Sequence, residues 1–416
     1  MNKNFLKLAF LMLSALVYGQ AGHVMQGVGA VNMSMGGAAT AQPLDISGAL
    51  QWNPAAISTF DSKILDFNIG LFYSSPELSS SLPVGAMWEA DEFFPGQLVS
   101  PAVFGTTKDD RGVSPMPALA MVWGNEDSKH TFGASAFGIS GFGVTFPLDS
   151  NAPSDAQGNQ NIDFNPLTNS NPVNYPQAAR GFGHIESDYM LLQIGFTWAY
   201  ELSDNFSFGI QPTFNYAALE LAPSPLSSPS QTLGYPTTDK ASAIGFGAQF
   251  GMFYNSPSGI KLGASYKTGQ SFGDLEFKNT YLDGSAAPDV SFNMDYPAIL
   301  SFGVGYSKGD VDFAMDYRYV DYENTDGFAE KGWTQTGSVA GFGWKNINIL
   351  SVGLQYKGIE KLPLRVGYTY SSNPIEDELA FFSIPATAVI ANAFQLGFSY
   401  PITDNLMLNG VYHYGT

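Results

Sequence analysis

Apolar and polar residues alternate with a period of two along most of the chain. From Met190 to Tyr200 every even position is apolar or aromatic, and the odd positions between them are Leu191, Gln193, Gly195, Thr197 and Ala199. The segment 311–319 shows the pattern most sharply, with acidic and basic residues opposite Val, Phe, Met and Tyr. This period predicts β-strands that have one apolar face. Because these faces end in Tyr or Trp, they are typical of a lipid-facing band with an aromatic girdle.

The connections between the predicted strands alternate in length without exception. Short turns lie at 124–129, 201–205, 255–259, 308–309, 358–361 and 401–405, and long polar segments at 74–115, 147–187, 219–241, 272–297, 321–345 and 372–392. Outer-membrane barrels alternate periplasmic turns with extracellular loops in this way, whereas a soluble β-sandwich has no reason to do so. The fold class is therefore all-β, a transmembrane antiparallel β-barrel of about thirteen strands.

An odd number of strands is unusual, because single-chain bacterial barrels have an even number. The last predicted strand, 406–414, runs outward and would leave an unpaired edge. We therefore expect a fourteenth strand that is missing from this sequence.

The N-terminal region divides into two predicted segments ahead of the barrel. Residues 1–20 have a basic start and a short apolar core, as secretory signal peptides do. Residues 21–62 are predicted to form a hatch, or plug, because 36–60 is glycine-rich, irregular and without a clean period. The barrel is assigned to 63–416.

Composition agrees with an outer-membrane protein. Charged residues make up only 13% of the chain, while it contains 32 Phe, 21 Tyr and 45 Gly. Without residues 1–20 it has 16 basic and 37 acidic residues, a net charge of −21. Such a chain cannot neutralise phosphates, so nucleic acid is excluded as a partner. The absence of Cys excludes disulfides and thiol chemistry.

The order of several short motifs resembles the outer-membrane long-chain fatty acid and hydrophobic compound transporters of the FadL/TodX type. The stretches are Asn53-Pro54-Ala55, 114–117, 132–135, 206–209, 296–298, 343–346 and 383–385. The resemblance implies a fourteen-stranded barrel with a plug in its lumen and the hatch motif Asn53, Pro54 and Ala55. It also implies that external loops capture a fatty acid, alkane or aromatic compound, which passes an interior pocket and leaves sideways into the bilayer. No cofactor is implied, and we expect a monomer surrounded by outer-membrane lipid and lipopolysaccharide.

In this family the sideways exit lies at a kink in the third strand. The corresponding segment here, 137–144, contains Gly138, Gly141 and Gly143, and glycines at short spacing allow a bulge or an inward bend. The alternative is that these glycines only fill crowded positions in the barrel.

Four residues are candidate ligand contacts: Trp52, Phe142, Trp344 and Lys345. Lys345 could pair with a substrate carboxylate, but it could equally be a loop lysine in water. The family pattern at 343–346 has lost its acid to Asn346, and an arginine of some relatives is replaced by Ile349. These departures and the negative charge leave neutral hydrophobic substrates open.

Catalytic and metal-binding patterns are not found in the sequence. The four histidines, His23, His130, His184 and His413, are not at metal-ligand spacing and are predicted to lie in loops, turns or the barrel rim. The inward-facing Asp310, Asp312, Asp316, Arg318 and Arg365 are predicted to form a paired network in the lumen. The chain is predicted not to be an enzyme, and a general porin or a surface adhesin is the alternative function.

Overall fold

The computed structural model describes residues 20–87, 99–386 and 390–416 of the chain. The predicted signal peptide, apart from Gln20, lies outside these residues. Thirteen of the strands form one antiparallel wall in chain order, each paired with its neighbours in sequence. Their bounds are β3 Lys63–Tyr73, β6 Val113–Trp123, β7 His130–Phe146, β8 Ile185–Ser203, β9 Phe206–Ala222, β11 Ala241–Asn255, β12 Ile260–Lys267, β16 Ala298–Lys308, β17 Val311–Asp321, β18 Ile347–Tyr356, β19 Leu364–Ser371, β20 Asn392–Thr403 and β21 Leu406–Gly415.

The remaining strands are short or belong to the loops. An N-terminal hairpin and the loop strands have the bounds β1 Gln20–Ala21, β2 Val24–Met25, β4 Glu77–Leu82, β5 Val103–Lys108, β10 Thr237–Thr238, β13 Ser271–Phe272, β14 Leu275–Thr280 and β15 Ala286–Phe292. The helices are α1 Ala30–Ser34, α2 Ile46–Trp52 and four 3-10 helices, Pro54–Thr59, Pro172–Asn174, Gln177–Ala179 and Asp377–Ala386. Within the part of the chain that the structure describes, no helix has the length and apolar character to cross a membrane.

The two faces of the wall differ as the alternation predicts. Outward side chains are apolar and exposed, for example Phe67 at 69% and Phe246 at 63%. Inward side chains are buried and mostly small or polar, for example Gln193, Thr197 and Ser351. An apolar outer face and a polar lumen are the arrangement that lipid requires of a spanning sheet.

Residues 22–60, here called the plug, lie inside the wall. Helix α1 contacts β19, β20 and β21, helix α2 contacts β3, β6 and β7, and the 3-10 helix Pro54–Thr59 contacts β7, β8, β9 and β11. The plug therefore contacts both ends of the strand order, and the sheet curves around it. The end strands β3 and β21 pair only with β6 and β20. A fourteenth strand between them stays a prediction.

Inward-facing glycines let the plug approach the wall closely. A Cβ atom on Gly209 of β9 would lie only 2.5 Å from the backbone nitrogen of Ala55. Real Cβ atoms do not come this close to backbone, so any side chain at Gly209 would push the plug away from β9.

Candidate functional site

The Asn53-Pro54-Ala55 motif forms the junction between two helices of the plug. The Asn53 side chain accepts a hydrogen bond from Ala55 N at 3.1 Å, so it caps the 3-10 helix, and Pro54 occupies the first helical position. The Asn53 amide nitrogen also donates to Thr40 O at 2.8 Å and to Met252 O of β11 at 3.0 Å. One side chain thus joins the plug to itself and to the wall.

The pairing between β6 and β7 stops partway along the two strands. Ala118 pairs with Phe137, but among the described residues 113–117 of β6 pair only with β3. The β7 residues beyond 137 pair with β8, and on their other side the only described strand partner is Val24 of β2, at Ser140. The register of β7 on β8 also shifts between Gly138 and Ser140, so Ile139 is a bulge. We call the stretch between 113–117 and 138–146, along which β6 and β7 do not pair with each other, the wall gap.

The three predicted kink glycines lie along the wall gap. A Cβ atom on Gly138 would lie 2.7 Å from the Met116 methyl group, so the Met116 side chain reaches across the gap. Gly141 is less crowded, since its Cβ would meet only Tyr189 O, at 3.0 Å. On the lumen side, Val24 of β2 pairs with Ser140, whose hydroxyl donates to His23 O at 2.8 Å.

Gly143 lets Arg111 bridge the outer end of the wall gap. The Arg111 guanidinium lies where a side chain at Gly143 would be, and it continues to β8. There it donates to Ser187 O at 2.6 Å and pairs with the Asp188 carboxylate at 2.5 Å. The neighbouring Asp109 side chain accepts from Thr145 N of β7 at 2.6 Å. The loop before β6 therefore closes this end with charged hydrogen bonds rather than a strand ladder.

Next to the wall gap, six side chains form a closed cluster that we call the aromatic cage: His23, Tyr189, Tyr296, Tyr322, Phe328 and Trp344. The His23 ring lies at its centre, stacked on Phe328 with ring centroids 4.6 Å apart. Its centroid lies 5.3 to 6.2 Å from those of the other four rings. Phe142 of β7 stacks on Tyr189 at 4.8 Å and extends the cage toward the wall gap.

The Tyr322 hydroxyl holds both the backbone and the ring of His23. The Tyr322 hydroxyl accepts from His23 N at 3.2 Å and lies 2.7 Å from His23 Nδ1. If this hydroxyl donates its own proton to Nδ1, the ring proton is on Nε2. Burial lowers the pKa of His23 to about 3, so its ring is neutral.

On the outside, an apolar groove of about 760 Å³ opens between three loop segments. Its apolar lining includes Leu78, Met87, Val173, Phe182, Phe381 and Ile384. A smaller cavity of about 30 Å³ shares Phe182, Phe381 and Ile384 with it and adds Ile185, Val339 and Pro385. The outer groove is thus concave and apolar, as small-molecule sites are.

The 3-10 helix Asp377–Ala386 separates the outer groove from the aromatic cage. Phe381 and Ile384 face the groove, while the Ser383 hydroxyl accepts from Trp344 Nε1 of the cage at 3.0 Å. The Ser187 hydroxyl of β8 donates to Pro385 O. A ligand that moves from the groove to the cage has to pass this helix.

Below the cage lie the buried charged residues Arg318, Asp316 and Lys267, which we call the polar floor. The guanidinium of Arg318 lies 3.7 Å above the Trp52 ring and pairs with Asp316 at 2.7 Å. Lys267 is also buried and donates to Gln193 Oε1 at 3.1 Å. Among the described residues, no carboxylate forms an ion pair with Lys267. The sequence did not identify Lys267, because a lysine at the end of a predicted strand resembles an ordinary rim residue.

The four predicted ligand contacts lie in three different places. Trp344 belongs to the aromatic cage and Phe142 adjoins it. Trp52 is buried in the plug, where its indole nitrogen donates to Asn32 Oδ1 at 3.3 Å. Lys345 is exposed and pairs with Glu376, which raises the pKa of Lys345. Its exposed position and its ion pair with Glu376 match the alternative that Lys345 is a loop lysine in water.

The predictions for the charged lumen residues need one correction, whereas His23 lies in a turn as predicted. The His23 side chain is also fully buried in the cage. Asp310 is exposed in the turn between β16 and β17 and does not face the lumen. The other four charged residues are buried, and Arg365 reaches Asp312 through Gln355, with hydrogen bonds of 2.7 Å. Within the described ranges, no group of acidic residues and histidines could hold a metal ion.

A strand wall with an apolar outer face, curved around an N-terminal plug, defines the protein as a plugged transmembrane β-barrel. A family model described as outer membrane protein transport protein (OMPP1/FadL/TodX) matches residues 173–415, so the chain belongs to this family. This membership confirms the predicted resemblance and fold class, and because the family consists of transport proteins, the protein is not an enzyme. No curated protein matches the sequence.

Solved structures with this fold cover nearly the whole chain. The P. putida toluene transporter TodX has 19% identity and a TM-score of 0.61, over 93% of this chain and 91% of that one. A Pseudomonas aeruginosa FadL homologue has 15% identity and a TM-score of 0.66, over 94% and 90%. The Ralstonia pickettii toluene transporter TbuX has 18% identity and a TM-score of 0.60, over 93% and 95%. At these identities the likeness concerns the fold.

Proposed function

We propose that the protein is a passive outer-membrane channel for hydrophobic small molecules. A ligand enters the outer groove, passes the helix Asp377–Ala386 to the aromatic cage, and leaves through the wall gap into the bilayer. No cofactor or energy source takes part, because the ligand moves from water to lipid down its own free-energy gradient.

The wall gap is the observation that carries this proposal. Strands β6 and β7 stop pairing at Ala118 and Phe137, beside the aromatic cage, and Met116 closes much of the gap with a flexible side chain. Methionine adapts to varied apolar shapes, so it suits an opening through which different ligands pass. A route into lipid spares an apolar ligand from crossing the polar floor.

The plug favours this route over a general porin. Helix α2 and the helix Pro54–Thr59 are buried from end to end, apart from Thr59, and they fill the lumen below the cage. A polar solute would have to cross this packed plug to reach the periplasm. A monomeric state and contacts with lipopolysaccharide stay predictions.

Chemical closure of the wall gap tests the proposal. The chain has no Cys, so Met116→Cys with Gly138→Cys introduces the only two thiols, on opposite sides of the gap. A short bifunctional thiol reagent should then block uptake of labelled toluene or decane by cells that depend on this protein. The unlinked variant should keep its uptake, because removing the Met116 side chain leaves the gap open.

A matched pair of cysteines controls for cross-linking itself. Leu350 and Tyr370 face each other on the fully paired strands β18 and β19. Linking Leu350→Cys to Tyr370→Cys should leave uptake unchanged. Undiminished uptake after complete cross-linking of the 116–138 pair would refute exit through the wall gap.

A further inference from the structure

The ring of His23 occupies the centre of a site built from aromatic side chains. It stacks on Phe328 with an interplanar angle of 25°, and the edges of Tyr296 and Trp344 meet it at centroid distances of 5.5 and 5.9 Å. Stacked and edge-to-face contacts of this kind recognise a flat aromatic ring. The imidazole is neutral and is supplied by the N-terminal hairpin rather than by the wall.

Three polar atoms of the cage are buried without a hydrogen-bond partner among the described residues. They are Nε2 of His23 and the hydroxyl oxygens of Tyr189 and Tyr296. Leaving such atoms unpaired costs free energy, so buried polar groups are normally paired. A cage that served only to bind hydrocarbons or to hold the hairpin would be more stable with Phe at positions 189 and 296.

We infer that the aromatic cage binds a monocyclic aromatic compound with one neutral hydrogen-bonding group, such as a phenol, and that His23 takes this ligand's place in the free protein. The inference rests on the proposed function and specifies the ligand class of its interior site. The bound ring replaces the imidazole on Phe328, and its hydroxyl group pairs with Tyr322 as Nδ1 does. The hydroxyls of Tyr189 and Tyr296 supply further partners.

The charge of the cage favours a neutral ligand over a carboxylate. The five wall and loop residues of the cage are Tyr, Phe and Trp, and none of the six side chains takes part in an ion pair. A carboxylate would lose its hydration among these six side chains, and Arg318, whose charge reaches Tyr296 from below, is already paired with Asp316. A phenol needs only hydrogen bonds.

Two ligands of nearly the same shape test the inference. In p-cresol a hydroxyl group replaces one methyl group of p-xylene, so their affinities differ mainly through hydrogen bonding. Equilibrium dialysis with the purified full-length protein should give a Kd about tenfold lower for p-cresol than for p-xylene. In the triple variant Tyr189→Phe, Tyr296→Phe and Tyr322→Phe, this ratio should fall to about one, because the rings remain and the hydroxyls are gone.

Tyr368→Phe is the matched control for the loss of a hydroxyl. Tyr368 lies on β19, and its hydroxyl donates to Asn392 at 2.7 Å, away from the cage. This variant should keep the wild-type ratio. Correct folding of each variant is checked by its far-ultraviolet circular dichroism.

The variant His23→Ala tests whether His23 occupies the position of the ligand or only supports the structure of the cage. If His23 competes with the ligand, its removal should lower the Kd of both compounds severalfold. Equal Kd values in the wild type, a ratio that survives in the triple variant, or weaker binding in His23→Ala would each overturn the inference. Equal uptake of both compounds by cells would leave the proposed channel intact, whereas no uptake of either would count against the channel itself.

Discussion

At the scale of single residues, Asn53 shows how one side chain can hold the plug in the barrel. Its oxygen caps the helix Pro54–Thr59, and its nitrogen donates to backbone oxygens of both Thr40 and Met252. The residue is fully buried, so water cannot replace these bonds. The sequence motif therefore has a structural reason that does not depend on ligand binding.

We expect Asn53→Ala to loosen the plug by about 1–3 kcal/mol, because it removes three hydrogen bonds inside the barrel, to Thr40 O, Met252 O and Ala55 N. The measurement is the conductance of the purified protein in planar bilayers, which should show more frequent open events than the wild type. Asn348→Ala is the control, since Asn348 is exposed and accepts a hydrogen bond only at the outer face. Identical conductance of Asn53→Ala and wild type would contradict an anchoring role.

At the scale of secondary-structure elements, the outer half of β7 has no ladder to β6, and within the described part of the chain only Ser140 pairs on that side, with Val24 of β2. Arg111 compensates for the missing ladder by crossing β7 at Gly143 to reach Ser187 and Asp188. The crossing is possible only where β7 has no side chain. Gly143 and Arg111 therefore act together in this bridge, although they lie in different segments of the sequence.

We expect Gly143→Ala and Arg111→Ala each to destabilise the protein by about 1–2 kcal/mol, because both remove the half-buried charged bridge from Arg111 to Ser187 and Asp188. The double variant should lose no more than either single variant, since the second change has nothing left to break. The urea midpoint of the refolded protein in detergent measures this. Gly70→Ala is the control because its Cβ would make only ordinary contacts, the nearest at 3.6 Å. Additive losses would show that Gly143 and Arg111 act separately.

The wall strands could be predicted from the sequence, whereas the aromatic cage could not. Alternation fixes the two faces of β8 or β17 locally, since the nearest neighbours of each residue determine whether it meets lipid or lumen. The cage instead joins His23, Tyr189, Tyr296, Tyr322 and residues of the loop 322–346, which are up to about three hundred residues apart. No local period connects them. One feature of the sequence did point to the cage. Tyr189 is a large aromatic residue at an inward-facing position of β8, where small and polar residues prevail.

The same reasoning explains why the burial of His23 could not be predicted. A lone histidine beside a signal-like segment gives no periodic sign of burial, and only the hairpin contact of Val24 with Ser140 brings it into the lumen. Gly138, Gly141 and Gly143, by contrast, lie at the strand irregularity because the bulge depends on local backbone freedom. Their role in ligand exit stays a prediction.

At the scale of the whole molecule, the net charge acts on a charged ligand before the ligand reaches the interior of the barrel. The chain has 37 acidic and 18 basic residues, a net charge of −19, and acidic residues such as Glu376, Asp377 and Glu378 lie beside the outer groove. Lys345 pairs with Glu376, and Lys331 also lies close enough to Glu376 to act on its charge. The net negative charge repels an approaching anion, and Arg180 in the lining of the groove is the cation that such an anion meets before the buried Lys267.

Because of this negative charge, we expect charged and neutral ligands of equal length to respond differently to salt. In vesicles of neutral lipid, the entry rate of decanoate should rise severalfold when ionic strength increases from about 0.01 M to about 0.15 M, because the screening length falls from about 30 Å to about 8 Å. The entry rate of decanol should stay constant, since an uncharged ligand does not feel the field. Glu376→Gln with Glu378→Gln should raise the decanoate rate at low salt and leave that of decanol unchanged. A decanoate rate that falls with added salt would instead reveal a basic capture site, and Arg180, which lines the outer groove, would then be the residue to test.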